Sequence, residues 1–204
     1  MSTRANSSRD RILECAESII LQKGFAGTSI DDILDKAAIT KGGFFYHFDG
    51  KTGLAHALVT RYLDQDEVIF ADLFKQADEL SEDPLHQLLI FLKLFADMMG
   101  QLEQAHPGCL VVSFTYESYQ FNDEIRELIR EGLLSWRTMI TGRLENVQKV
   151  YPCKSDTTID ALADMFISTI EGGIILSRAF QDNKLLVDQV LAYRSYLRVL
   201  FENH

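Results

Sequence analysis

The stretch from Thr28 to Leu54 constrains the fold of this chain more than any other part of its sequence. It predicts a short amphipathic helix, a turn at residues 38–40, a second short helix rich in aromatic residues over residues 41–48, and a longer helix beginning near Lys51. Two short helices joined by a tight turn form the outline of a helix-turn-helix, in which the second helix enters the DNA major groove. The stretch therefore predicts a helical DNA-reading head.

Local signals predict where the two short helices begin. Thr28 is expected to cap the first helix, with Asp31 reaching back in a variant of the capping box. Thr40 is expected to be the N-cap of the second helix. Because this second helix is too short to be stable alone, it must be held by packing. Phe44 and Phe48, which are four residues apart, suit the packed face.

The first turn of the second short helix favours contact with DNA. Lys41, Gly42 and Gly43 lie where free amides and the positive end of the helix dipole attract phosphate. Two glycines inside a helix cost roughly 1 kcal/mol each relative to alanine, so close approach to another surface is the expected reason for them. Lys51, at the start of the next helix, is expected to grip a backbone phosphate.

These residues resemble the TetR/AcrR family of bacterial transcriptional regulators. The family pattern is matched upstream by Gly24-Phe25-Ala26-Gly27-Thr28-Ser29-Ile30, and then by Ala38, Ile39, Thr40, Lys41, Gly42, Gly43, Phe44, Phe45, Tyr46, His47, Phe48, Lys51 and Leu54. The resemblance implies an all-α homodimer that regulates transcription, most simply a repressor released from a palindromic operator by a small molecule. It also implies DNA contacts from Thr40, Lys41, Gly42, Gly43, Phe45, Tyr46, His47 and Lys51.

Two positions depart from the family pattern. Ala38 stands where the turn usually has glycine, and a left-handed alanine costs roughly 1–2 kcal/mol, so we expect a slightly adjusted turn. Phe45 stands where a phosphate-contacting tyrosine is common. Tyr46 or His47 must then carry more of the contact.

The rest of the chain predicts further helices, for a total of about nine. Helix 1 is expected over residues 8–23 with Gly24 as its C-terminal cap, and helix 4 runs from Lys51 to about Gln76. Further helices are expected from Pro84, over residues 109–119, from about 123 to 150, and over 157–180 and 185–203. We therefore predict a DNA-binding domain at 1–53 and a ligand-binding and dimerisation domain at 54–204.

Aromatic and methionine side chains of the middle helices could line a pocket for a largely apolar effector, although packing is the commoner role of such residues. The candidates are Phe95, Met98, Met99, Phe114, Tyr116, Trp136 and Phe166. The last two helices suit a four-helix bundle with a second copy. The expected dimer residues are Phe166, Ile170, Gly173, Ile174, Val190, Arg194, Leu197 and Phe201.

The charge distribution is uneven. The chain has a net charge of −10, yet residues 1–63 hold eight Lys/Arg and seven Asp/Glu, whereas the remainder holds twelve and twenty-three. The acidity thus belongs to the second part, and the acids of the first part are expected to point away from DNA. The polar N-terminus and the absence of a long apolar run predict a cytoplasmic protein without a membrane partner.

Chemical motifs are absent from the sequence. The five histidines are scattered, and no nucleophile elbow, P-loop or metal-ligand spacing occurs, so we expect neither an enzyme nor a cofactor or metal. Two alternatives stay open. One is a small-molecule-binding helical protein that no longer binds DNA, and the other is a thiol-based redox-responsive regulator using Cys109 or Cys153.

Overall fold

The structure, a computed structural model, describes residues 7–202, and all regular elements within this range are helical. The predicted all-α class is thereby confirmed. Residues 1–6 and the predicted end of the last helix at Asn203 lie outside the described residues. The α-helices are α1 (Ser8–Lys23), α2 (Ile30–Ala37), α3 (Lys41–His47), α4 (Gly50–Leu80), α5 (Pro84–Gly100), α6 (Leu110–Tyr116), α7 (Asp123–Val150), α8 (Ile159–Phe180) and α9 (Lys184–Phe201), and a 3-10 turn spans Ser118–Gln120.

The chain divides into two compact units. The head unit contains the described residues up to Gln65 together with Cys109–Gly132, and the second unit contains Asp66–Gly108 and the described residues from Leu133 onward. This grouping differs from the predicted division between residues 53 and 54. Helices α4 and α7 each contribute to both units, and α6 belongs to the head unit although it is distant in sequence.

Side-chain caps define the helix starts of the head unit. The N-cap of α2 is Ser29, whose hydroxyl accepts a hydrogen bond from the Asp32 amide while the Asp32 carboxylate accepts one from the Ser29 amide. The predicted Thr28 and Asp31 pair is therefore wrong by one residue. Thr28 is buried, and its hydroxyl donates to the carbonyl oxygen of Gly24 at 2.7 Å. This bond satisfies a carbonyl beside the end of α1.

The turn between α2 and α3 keeps its left-handed residue despite the methyl group. Ala38 has φ 52° and ψ 50°, and its amide donates to the carbonyl oxygens of Leu34 and Asp35. The expected adjustment of the turn is therefore wrong, because α2 ends through an ordinary left-handed cap that alanine occupies under strain. Gly24 is the C-cap of α1 as predicted, and its φ of 80° and ψ of 163° lie outside the left-handed helical region.

Close packing of α5, α8 and α9 forms the core of the second unit. Phe91 and Phe166 are almost fully buried, and the rings of Phe74 and Phe91 stack at 3.8 Å between centroids. The Tyr193 hydroxyl donates to the carbonyl oxygen of Leu162 at 2.8 Å, and burial raises the pKa of this phenol. Among the described residues, none of the helices is both long and apolar enough to cross a membrane.

Candidate DNA-binding site

The first turn of α3 presents an open surface. Thr40 and Lys41 are exposed, and the Thr40 hydroxyl caps the helix by accepting from the Gly43 amide at 3.1 Å. A methyl group at Gly42 would meet no described atom outside its own helix backbone within 4 Å. A methyl group at Gly43 would instead lie 3.0 Å from Ile39 Cγ2. Gly42 therefore faces outward and Gly43 faces the turn.

The aromatic residues of α3 separate into two faces. Phe44 and Phe48 are 0% and 4% exposed, which confirms their expected role in the core. Phe45 and Tyr46 are 49% and 84% exposed. A tyrosine with so much free surface has its phenol available to a partner, because its ring contributes little to the packing of the head unit.

His47 links α3 to the beginning of α1. Its Nε2 lies 2.6 Å from the Ser8 hydroxyl, and its ring packs edge-on against Tyr46 at 4.9 Å between centroids. Nearby, the Arg9 guanidinium lies 5.5 Å from the centre of the Phe48 ring. Ser8 and Arg9 were not among the predicted site residues. The signal that could have identified them is the capping box of α1, formed by Ser7 and Asp10, because it places both at the first turn of that helix.

Lys51, which the sequence predicts to contact a backbone phosphate, is directed inward in the structure. Its ammonium group donates to the carbonyl oxygen of Phe25 at 2.5 Å and lies 4.2 Å from the centre of the Phe25 ring. Partial burial lowers the pKa of Lys51, against the opposing charge of Glu117. The position of Lys51 at the start of α4 matched the family pattern, but its side chain is engaged inside the head unit.

Several carboxylates of the head unit are also engaged internally. Asp32 accepts a hydrogen bond from Lys23 at 2.8 Å, and this bond, with those from Ser29, holds the pKa of Asp32 far below its usual range. Glu17 pairs with Arg61 at 3.2 Å. These contacts reduce the repulsion that the two acids would exert on a phosphate backbone.

The structure separates the residues expected to line a ligand pocket. Phe114 and Tyr116 belong to the head unit, where Phe114 is buried and Tyr116 is 76% exposed. Phe95 and Phe166 are buried in the aromatic core of the second unit. The half-buried members of the set, all in the second unit, are Met98, Met99 and Trp136. Periodicity identified apolar residues correctly but could not determine which unit each one joins.

A cleft of about 390 Å³ opens elsewhere in the second unit, and it contains none of the expected ligand residues. It is lined by Leu80, Ser81, His86, Leu89, Ile90, Arg194, Arg198 and Glu202. Its mixture of apolar and charged side chains was not anticipated from the sequence. The three thiols are free, with Cys109 buried and Cys15 and Cys153 half-buried.

Burial separates the expected dimer residues into two groups. Six of them are buried within their own chain and have almost no surface left for a second copy, namely Phe166, Gly173, Ile174, Val190, Leu197 and Phe201. Ile170 and Arg194 are half-buried, and the Arg194 Nε donates to the carbonyl oxygen of Leu89 at 2.8 Å. The stripes chosen from the sequence are thus the inner faces of α8 and α9, because the most regular apolar stripe of a helix usually faces its own core.

Two regions of the sequence match models of known protein families. The sequence model described as "Bacterial regulatory proteins, tetR family" matches residues 12–58, and the model described as "Tetracyclin repressor-like, C-terminal domain" matches residues 84–192. The second match alone spans more than half of the chain. The chain belongs to the TetR family of bacterial regulatory proteins. It is a DNA-binding transcriptional regulator of this family.

Individual relatives of this TetR-family regulator are distant but match most of its length. The transcriptional repressor DhaR of Mycobacterium sp. (strain GP1) is 24% identical over 95% of this chain and 90% of its own length. A TetR-family regulator from Agrobacterium tumefaciens superposes with a TM-score of 0.77 at 24% identity, covering 95% of this chain and 97% of that one. The reduced form of NemR from E. coli gives a TM-score of 0.75 at 16% identity, covering 98% and 99%. The two structural likenesses show the shared fold.

Proposed function

We propose that this TetR-family regulator is a repressor that binds a palindromic operator as a homodimer, with α3 of each copy in one major groove. The observation that carries the proposal is the outward surface of α3, where Thr40, Lys41, Gly42 and Tyr46 are exposed together. Free amides at a helix N-terminus, one lysine and one phenol are the groups that bind phosphates and base edges. Phe45 adds a half-exposed apolar ring suited to a thymine methyl group.

A second copy is needed because one head reads only half of a palindromic site. The outward surfaces of α8 and α9 hold apolar side chains that the chain itself does not cover. Ile175 and Phe180 on α8 are 55% and 70% exposed, and Val199 on α9 is 71% exposed. We infer that these residues, rather than the buried inner stripes, contribute to the dimer interface, since exposed apolar surface of this kind marks interaction sites.

The proposed effector is a small, largely apolar molecule that binds within the second unit. The half-buried side chains of Met98, Met99 and Trp136 support this class of ligand, because sulfur and aromatic groups adapt to apolar surfaces. The effector releases the operator only to the extent that it binds the DNA-free conformation more tightly than the DNA-bound one. A homodimer with one effector site per chain would then respond to its concentration.

Fluorescence anisotropy with operators selected from random DNA, and with the region upstream of the gene itself, tests the proposal. The unmodified protein is expected to bind specifically and with strong salt dependence. Lys41→Ala and Tyr46→Ala should each lower the affinity by roughly tenfold, equivalent to losing about 1.4 kcal/mol of contact free energy. Lys75→Ala is the matched control, since Lys75 is an exposed lysine on α4 in the second unit.

Two outcomes would contradict this function. Absence of specific, salt-sensitive binding to any selected duplex would show that the protein has no DNA operator. DNA binding that is unchanged in both Lys41→Ala and Tyr46→Ala would show that α3 is not the helix that contacts the operator. Either result would favour the alternative of a helical small-molecule-binding protein that makes no use of its helix-turn-helix for DNA.

A further inference from the structure

The loop between α1 and α2 is held by a side chain from a distant part of the sequence. One carboxylate oxygen of Glu117 accepts from the Phe25 amide and the other from the Ala26 amide, both at 2.7 Å. The Lys51 ammonium donates to the Phe25 carbonyl at 2.5 Å. We call this group of Glu117, Phe25, Ala26 and Lys51 the Glu117 clasp. Charge-assisted hydrogen bonds of this kind are roughly twice as strong as neutral ones.

Packing around the clasp fixes Glu117 in place. The residue follows directly after α6, and the two aromatic side chains on either side of it in sequence, Phe114 and Phe121, pack against the Phe25 ring. Their ring centres lie 5.2 Å and 4.7 Å from that of Phe25. All three rings are at most 5% exposed. The carboxylate is thus carried by a buried aromatic cluster rather than by a free side chain.

The loop itself is shaped to receive the carboxylate. Gly24 has φ 80°, and a methyl group there would lie 2.9 Å from the Glu117 Oε1 atom. A side chain at position 24 would therefore both strain the backbone and displace the carboxylate. In the same loop, the Thr28 hydroxyl donates a hydrogen bond to the carbonyl oxygen of Gly24. Thr28 immediately precedes Ser29, the N-cap of α2. Holding residues 25 and 26 consequently holds the start of the helix-turn-helix.

Lys51 joins the loop to the first turn of α4. Its ammonium group contacts the Phe25 carbonyl and the face of the Phe25 ring, so both the charge and a hydrogen of this lysine are used inside the protein. Burial lowers the pKa of Lys51, and the negative charge of Glu117 opposes this effect without reversing it. The ammonium group of a lysine held this way contacts a carbonyl oxygen and an aromatic ring of its own chain instead of a phosphate of DNA.

We propose that Glu117 and Lys51 are positioning residues of the DNA-binding head. They fix the loop between α1 and α2, and so the orientation of α2 and α3, without themselves contacting DNA. This inference rests on the proposed function only in that DNA binding is one of its two measurements. It replaces the phosphate contact that the family resemblance implied for Lys51, and it assigns a role to Glu117 that the sequence pattern did not indicate.

The salt dependence of operator binding distinguishes a positioning lysine from a phosphate-binding one. Loss of a phosphate contact reduces the slope of log K against log[salt] by about 0.9 for each contact, or about 2 for a dimer. Lys41→Gln, at the exposed start of α3, is expected to show this reduction. Lys51→Gln and Glu117→Gln are expected to lower the affinity by between about threefold and thirtyfold at every salt concentration, with the slope of the unmodified protein. A reduced slope in Lys51→Gln would overturn the proposal.

Hydrogen exchange of the DNA-free protein supplies a readout that does not need an operator. Glu117→Gln should accelerate amide exchange in the peptide covering residues 24–28 by severalfold, because one of two acceptors becomes a donor. Glu127→Gln is the matched control, since Glu127 pairs with Arg130 along α7 in the same unit. Unchanged protection of the loop in Glu117→Gln would overturn the clasp. If instead the unmodified protein lacks specific DNA binding while the loop responds as expected, the proposed function fails and the clasp stands.

Discussion

Two pairs of adjacent glycines, Gly42-Gly43 in α3 and Gly172-Gly173 in α8, lie in different units of the chain and share one arrangement. In each pair the first glycine is open, because a methyl group there would meet no described atom outside its own helix backbone within 4 Å. The second glycine of each pair is crowded. The open glycine of α3 lies on the proposed DNA surface, whereas that of α8 lies on a helix proposed to meet a second copy.

What crowds the second glycine differs between the two units. A methyl group at Gly43 would lie 3.0 Å from Ile39 Cγ2, an atom of the preceding turn. A methyl group at Gly173 would lie 2.8 Å from Leu186 Cδ1 and 3.1 Å from the Leu186 Cα atom, which belongs to α9. A side chain can rotate away, but the backbone of a packed helix cannot. The head unit therefore relies on local geometry here, and the second unit relies on helix-to-helix contact.

Gly173→Ala should give the largest effect that tests this comparison. Separating α8 from the backbone of α9 costs about 1–3 kcal/mol, more than the gain of about 1 kcal/mol from the helix preference of alanine. Gly172→Ala, its neighbour, should be neutral or stabilising. Urea unfolding followed by circular dichroism, at one protein concentration, measures both. Equal effects of the two substitutions would show that Gly173 does not pack closely against the backbone of α9.

Gly42→Ala should raise the stability of the protein but weaken its binding to DNA. The new methyl group meets open space, so the free energy of unfolding should rise by up to about 1 kcal/mol. The same methyl group would stand between α3 and the operator, so the affinity should fall by roughly tenfold. Gly43→Ala is the matched control and should change the affinity less. An unchanged affinity for Gly42→Ala would mean that DNA does not approach this turn closely.

Ala38→Gly should give the smallest effect, a stabilisation of about 1 kcal/mol or less, because glycine relieves the left-handed strain but gains entropy in the unfolded chain. Gln181→Gly is the counterpart in the second unit, since Gln181 caps α8 with φ 54°. Its gain should be smaller, because the Gln181 side chain also donates to the carbonyl oxygen of Arg178 at 2.6 Å. Thermal unfolding of both variants measures which of them gains more stability. A loss of stability in Ala38→Gly would show that the left-handed conformation does not strain Ala38.

The accuracy of the sequence-based predictions followed the range of the interactions involved. The short helices α2 and α3 were placed closely because capping residues and apolar periodicity act within a few positions. The cap of α2 was nevertheless misplaced by one residue, since Thr28, Ser29, Asp31 and Asp32 offer two overlapping capping pairs. The pair that forms is Ser29 with Asp32, while the Thr28 hydroxyl donates to the Gly24 carbonyl oxygen, and no pattern in the sequence displays that bond.

The roles expected for the ligand and dimer residues depend instead on contacts between residues that are far apart in the sequence. Phe114 and Phe166 looked equivalent in the sequence, as large apolar side chains at helical spacing. The structure puts Phe114 beside Phe25 in the head unit and Phe166 beside Phe95 in the second unit. Periodicity shows that a helix has a buried face, but it does not show what covers that face.

The sequence by itself determined that this chain is helical, that its N-terminal part carries a TetR-type helix-turn-helix, and that Tyr46 and Lys41 stand on its outer side. These properties depend on the preferences of neighbouring residues, which any stretch of chain expresses locally. Only the tertiary structure decided that Lys51 faces inward and that Glu117 holds the loop at Phe25. Those contacts join residues 26 and 92 positions apart, and they exist only after the packing of the head unit brings the segments together.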